Sequence, residues 1–247
     1  AARALSWVFR EAPADGGKDF GNAAVYATPQ AIKTIVREDG QNSLDAARSH
    51  LTLRFRLIEL SPRTERHERF LEAIRFDSLT MHIDAIEEAG YESKLGTKLV
   101  AARDHLEEES LVLLVVEDFG AQGLIGDEFD STKSFCALVR DNLNSQKELA
   151  QTAGGVFGLG AKVNIACSRL STVLFASRVA GSQKKGIRLV GRAETTYHER
   201  REGRATKRFA GPAWFGKDNG AGAAESVWLP DDEPVLKDLF LQRADPP

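Results

Sequence analysis

The chain has 247 residues, 42% of them hydrophobic and 28% charged. That is enough to bury a sizeable core and too apolar for a disordered chain. A net charge of −3 excludes a global basic field for nucleic acid. Cys136 and Cys167, the two cysteines, form no disulfide framework and have no metal-ligand spacing, and no apolar run reaches membrane-spanning length.

In chain order, residues 1–28 are broken by Pro13, Gly16, Gly17 and Gly21 and read as an N-terminal arm or strap. Thr28-Pro29 starts a helix, with Thr at the cap and Pro in the first turn. That helix carries Ile32, Ile35 and Val36 and is expected to run on towards His50. Gly40 interrupts it at a cost of about 1 kcal/mol relative to Ala, which suggests that a ligand or strand approaches closely. Leu51 to Leu60 alternates apolar and polar, as a half-buried strand does. Residues 63–107 are charged and mostly helical, with breaks at Gly90 and Gly96. Leu111-Val-Leu-Leu-Val-Val116 is a continuous apolar run and predicts a strand buried on both faces. Residues 124–153 have no period, as expected of a lid. Residues 160–169 read as a helix, 172–177 and 186–191 as strands, 203–225 as a loop, Val227-Trp228-Leu229 as a short strand, and 233–243 as a last helix.

Three segments carry chemistry. Glu38-Asp39-Gly40-Gln41-Asn42-Ser43-Leu44-Asp45-Ala46 sets a carboxylate four residues before an amide, on one helix face. Val115-Val116-Glu117-Asp118-Phe119-Gly120-Ala121-Gln122-Gly123 is a strand that breaks into a carboxylate and two glycines. Gly154-Gly155-Val156-Phe157-Gly158-Leu159-Gly160-Ala161-Lys162 is a glycine run leading into a helix, the arrangement in which backbone N–H groups hold phosphates. It is not a P-loop: Lys162 stands one place late and no Ser or Thr follows it. The histidines show no zinc spacing. Basic runs at 184–188 and 198–204 fit solvated edges, with a nucleic-acid contact as the lesser alternative.

The ordered trio resembles the motifs of the GHKL ATPases, the superfamily that joins DNA gyrase, the large heat-shock chaperones, histidine kinases and the mismatch-repair protein MutL. The likeness covers roughly residues 29–177 and is nearest to the gyrase and MutL forms. It implies an α+β fold of Bergerat type: a two-layer α/β sandwich with a mixed, mainly antiparallel sheet and helices on one face. The ATP-binding domain would span 29–247, preceded by the arm at 1–28. The chain begins without Met and ends at Pro246-Pro247, so it is expected to belong to a longer protein, and a cytoplasmic setting is expected.

The resemblance also implies roles. Glu38 matches the general base that activates water, Asn42 the Mg2+ ligand, and Asp45 a supporting polar position. Asp118 matches the carboxylate that selects adenine through its exocyclic amine, with Gly120 and Gly123 letting the backbone lie near the base. Gly154, Gly155, Gly158 and Gly160 match the phosphate-holding glycines, and Lys162 either neutralises a phosphate or is exposed. Two departures stand out. The adenine motif reads Asp-x-Gly-x-x-Gly, one residue longer than the usual form. The late Gly-Thr pair is absent, with Ser226 a weak substitute. The implied activity is Mg2+-dependent hydrolysis of ATP with lid closure and nucleotide-dependent homodimerisation. A DNA-linked process would be served through regions outside this chain. The alternatives are an ATP-sensing scaffold without turnover and a histidine-kinase-like phosphotransfer domain.

Overall fold

The computed structural model describes residues 4–18, 32–90, 93–140 and 160–243. The elements in order are β1 (Leu5–Glu11), α1 (Ile32–Asp45), β2 (Ala47–Leu60), α2 (Glu65–Ala73), α3 (Phe76–Glu88), α4 (Lys94–Glu108) and β3 (Leu111–Ala121). A π-helical turn at Cys136–Arg140 precedes α5 (Gly160–Cys167), β4 (Thr172–Ser177), β5 (Ile187–Ala193), β6 (His198–Glu202) and β7 (Ala205–Asp218). β8 (Ala224–Glu225), β9 (Val227–Leu229) and α6 (Pro234–Asp238) complete the order. The class is α+β, and every strand pairing among the described residues is antiparallel.

The strands form two sheets. The larger has seven strands and runs β1-β7-β5-β4, with β6 and β8 also on β7 and β9 on β5. The second is a β2–β3 ribbon. The β7 strand is the hub, and its sequence explains why it was not expected. Residues 203–225 are rich in Gly and Ala and read as a loop, yet Phe209, Gly211, Ala213 and Phe215 alternate inward and are buried. Small residues there are packing devices: a Cβ on Gly211 would sit 2.6 Å from the Thr195 carbonyl oxygen.

The start of the expected arm is also corrected. Residues 5–11 form β1, with Leu5 opposite Lys217 and Val8 opposite Trp214. Leu5, Trp7 and Phe9 alternate into the core, and the Trp7 indole donates to the Ile74 carbonyl at 2.7 Å. Trp7, Phe9, Leu189, Phe215, Leu229 and Leu236 share one core cluster, each worth about 1.5–3 kcal/mol by burial.

Helix ends follow local chemistry. Ser93 caps α4 by accepting from the Gly96 N–H at 2.9 Å, so Gly96 opens a helix rather than breaking one, whereas Gly90 follows α3 with φ +63°. Thr64 caps α2 through the His67 N–H. The α1 helix stops at Asp45 instead of continuing to His50, because β2 starts at Ala47. The last helix is shorter than expected, ending at Asp238.

A buried polar chain ties α3 to the large sheet. The His198 Nδ1 lies 2.8 Å from the Thr196 carbonyl and must carry a proton to donate to it. Its Nε2 is therefore the acceptor for the His82 Nδ1–H at 2.7 Å. The His82 Nε2 in turn accepts from Arg200 at 3.3 Å. Phe9 stacks on His82 with ring centres 3.4 Å apart. Both histidines are neutral: burial chiefly, then neighbouring charge, lowers His82 to about 3, and burial also lowers His198.

The ribbon corrects another expectation. Residues 111–116 were read as buried on both faces, but Val112 is 58% and Leu114 43% exposed, opposite Leu57 at 76%. Only Leu111, Leu113 and Val115 pack on the core with Ile58 and Leu60.

Candidate functional site

A cavity of about 980 Å3 opens where α1, α5, β3 and β4 converge. Its polar end is lined by Asp39, Asn42 and Ser43 of α1, Asp118 and Gly123 at the end of β3, and Asn164 of α5. Leu113, Val115, Leu174 and Ala176 line the apolar side. Among the described residues β3 pairs with β2 alone and β4 with β5 alone, and residues along both strands line this space.

Asn42 and Asp118, remote in sequence, thus share one cavity. The α1 helix brings Asn42 because Thr34, Ile35 and Ser43 bury its inner face. Gly40 lies near β2 with room to spare, since a Cβ there would meet only the Leu53 Cδ1 at 3.7 Å. The neighbouring strand accounts for its proximity.

Asp118 sits at a crowded turn. Arg243 donates to its backbone oxygen, approaches its Oδ1 at 4.0 Å and lies over the Phe119 ring at 4.8 Å. Glu117, which also lines the cavity, is held by Arg54 and Arg56, each at 2.8 Å. Burial opposes ionisation of Glu117, but the two guanidiniums win and lower its pKa.

Gly120 and Gly123 are both required by their neighbours. Gly120 has φ +92°, and a Cβ would lie 2.1 Å from the His50 carbonyl oxygen. Gly123 has φ +78°, and a Cβ would lie 2.4 Å from the Arg178 oxygen. Gly123 lines the cavity. Gln122, one of the two residues between these glycines, donates to the Ala46 oxygen just after α1 and accepts from the Ala180 N–H beyond β4.

Glu38 and Asp45 are placed differently from Asn42. The Glu38 side chain is 15% exposed and its Oε1 is held by Arg37 Nε and Nη2 at 3.1 and 2.8 Å. The cavity wall carries its neighbour Asp39 instead. Asp45 is exposed at the helix end. Gly160 opens α5 with Lys162 in its first turn, the Lys162 side chain lying outside the described residues. Gly154, Gly155 and Gly158 also lie outside them.

Asp39 and Asn164 carry no motif role in the sequence, yet they meet in the cavity wall. Asn164 Nδ2 donates to Asp39 Oδ1 at 2.9 Å, and Asp39 Oδ2 is buried without a partner. The Asp39 pKa is raised to about 6, first by burial and then by Glu38 and Asp118, with Asn164 opposing. Its signal in the sequence was weak: an acid beside the more familiar Glu38, one helical turn before Asn42.

The segment expected to act as a lid is held firmly over its described part. Arg188 of β5 donates to the Leu124 and Gly126 carbonyls at 3.2 and 2.7 Å and to Glu128 at 2.8 Å. Arg192 donates to the Val139 oxygen at 3.0 Å. Ser226, the candidate substitute for the late Thr, donates to Glu128 and accepts from Arg188, so it braces this anchor. Within the basic run at 198–204 Arg200 pairs with Glu202 at 3.0 Å, and Lys207 of β7 adds a second cation to Glu202 while also reaching Glu11.

Comparison of the chain with family models, with curated proteins and with solved structures found no match. Among the described residues, no helix is long and apolar enough to cross a membrane, and no group of three His, Cys, Asp or Glu could hold a metal ion.

Proposed function

We propose that this chain is a GHKL-type, Bergerat-fold domain that binds Mg-ATP and hydrolyses it. The observation that carries the reading is the convergence of Asn42 and Asp118 on one cavity, with the helix that follows the glycine run forming its wall. In this reading the Asp118 carboxylate accepts from the exocyclic amine of adenine, a group that guanine lacks at that place. Backbone N–H groups at the start of α5 meet the phosphates.

The donor set fits magnesium. Mg2+ is commonly held by one or two protein oxygens together with substrate phosphates and several waters, rather than by an all-protein cage. A neutral amide on Asn42, with no three-acid cluster among the described residues, suits that arrangement. The bound ion would supply charge neutralisation at the phosphates. Glu38 is the proposed base, one helical turn from Asn42. In this reading lid closure does not include Leu124, Gly126, Glu128, Val139 or Arg140, which Arg188 and Arg192 hold. Nucleotide-dependent association with a second copy remains part of the proposal. An N-terminal arm for it would have to exclude residues 5–11, which are committed to the sheet. A DNA-linked role rests on the resemblance alone.

The test is ATP turnover by the wild type, Glu38→Ala and Asp118→Asn, with nucleotide binding measured alongside. Loss of turnover in Glu38→Ala with retained binding, and loss of adenine preference in Asp118→Asn, are expected. Unimpaired turnover in both variants would sink the assignment. A second reading, ATP binding without hydrolysis, is favoured by one observation: Arg37 holds Glu38, which is absent from the cavity wall. Binding with no turnover in the wild type would select it.

A further inference from the structure

The neighbour of the proposed base raises a separate question. Asp39 lines the cavity, and its two oxygens have different fates. Oδ1 is fixed by Asn164, while Oδ2 is buried and unpartnered. A buried carboxylate oxygen without a donor costs free energy that a Leu at the same place would not cost. Among the described residues no basic side chain pairs with it: its partner is the Asn164 amide, and the charges that act on it are the carboxylates of Glu38 and Asp118.

We propose that Asp39 is an outer ligand of the metal–nucleotide complex, its Oδ2 accepting a hydrogen bond from a water of the hydrated magnesium ion. This inference rests on the Mg-ATP reading of the pocket. Three observations choose this donor. First, Asp39 and Asn42 are three residues apart on α1 and line the same wall, so their Cβ atoms lie about 5–6 Å apart. A metal–oxygen bond of about 2.1 Å followed by a hydrogen bond of about 2.7 Å bridges that separation. Second, the Asn164 anchor comes from α5, so Asp39 joins the two helices that line the cavity, α1 and α5. Third, Oδ1 is already committed to Asn164, which leaves Oδ2 to accept one further hydrogen bond. The raised pKa of Asp39 agrees with a carboxylate short of partners, a deficit that a hydrogen-bond donor near a cation reverses. Asn164 would then connect the metal end of the pocket to α5.

The experiment compares the full chain with Asp39→Leu and Asp39→Asn. ATP binding is measured by calorimetry in excess Mg2+ and again in EDTA. Mn2+ binding to the ATP complex is followed by electron paramagnetic resonance, and melting temperature is recorded for each protein. The expected result for Asp39→Leu is about a tenfold loss of Mg-ATP and Mn2+ affinity, unchanged ATP affinity in EDTA, and a melting temperature at or above the wild type. Asp39→Asn, which keeps an acceptor oxygen, should retain part of the metal-dependent gain. Unchanged Mg-ATP affinity in Asp39→Leu overturns the proposal. An equal loss with and without metal also overturns it, and assigns Asp39 to the nucleotide itself. A lowered melting temperature with no metal-specific loss reduces Asp39 to a structural residue. If the wild type binds ATP in neither medium, the underlying ATP reading fails, a result distinct from any variant outcome.

Discussion

Lowering the pH should unlatch α3 from the sheet through the His82–His198 chain. The unfolded chain takes up a proton on His82 near the ordinary value of 6.5, whereas the folded protein holds it neutral down to about 3. A depressed histidine makes the unfolded state bind more protons, so stability falls as the pH falls between those values. From pH 7 to 4.5 this one residue removes about 2.5 kcal/mol, at about 1.36 kcal/mol per pH unit once below 6.5. His198 is lowered too and acts in the same direction. His82 is only 4% exposed, so solvent screening does little to reduce the effect. The assay is urea unfolding followed by circular dichroism at both pH values, on the wild type and on His82→Gln. The glutamine can still donate to His198 and accept from Arg200, but it does not titrate. Carboxylates lower the stability of both proteins equally. The wild type should therefore lose about 2.5 kcal/mol more than the variant. Parallel losses would refute the neutral histidine chain. So would a His82 resonance that titrates near 6.5 in the folded protein.

Two other perturbations test the packing that shapes the pocket. Gly120→Ala places a Cβ against the His50 carbonyl at positive φ and should destabilise the fold by about 2 kcal/mol or more, read as a lowered melting temperature. Arg188→Met removes the cation that holds Glu128 and the Leu124 and Gly126 carbonyls. It should cost about 3 kcal/mol and admit protease cleavage within 124–140, which the wild type resists.

What was legible in the sequence follows from what period can carry. Leu51–Leu60 and 172–177 alternate or cluster in ways that only a strand satisfies, and both are strands. Asn42 and Asp118 stood out through motif order alone; the cavity that both line is something no periodicity contains. The β7 strand was missed because Gly and Ala have no hydropathic contrast; their value is space, visible only once Thr195 and Phe215 are in place. The β1 strand was hidden by the glycines and proline that follow it. The ribbon misled in the opposite sense, because an apolar run reports attraction to a partner without saying whether that partner is part of this chain. Arg188 ends a basic run that was expected on a solvated edge. It is buried because the Leu124 and Gly126 carbonyls, Glu128 and the Ser226 hydroxyl all accept from its guanidinium. Asp39 escaped notice because a free oxygen is a property of three-dimensional surroundings.

The pairing of β1 with β7 has a consequence for biosynthesis. Leu5 leaves the ribosome long before its partner Lys217, and at about 5–20 residues per second the wait is of order 10–40 s. Through that interval Trp7 and Phe9 have only partial native cover, from Ile74 and His82, since the strand that pairs with them comes after every other long strand. An arrest or premature stop before residue 205 would release a chain with an exposed aromatic strand and a β2–β3 ribbon already able to form. That intermediate is the one that holdase chaperones should bind, and its lifetime is set by translation speed rather than by the stability of the finished domain.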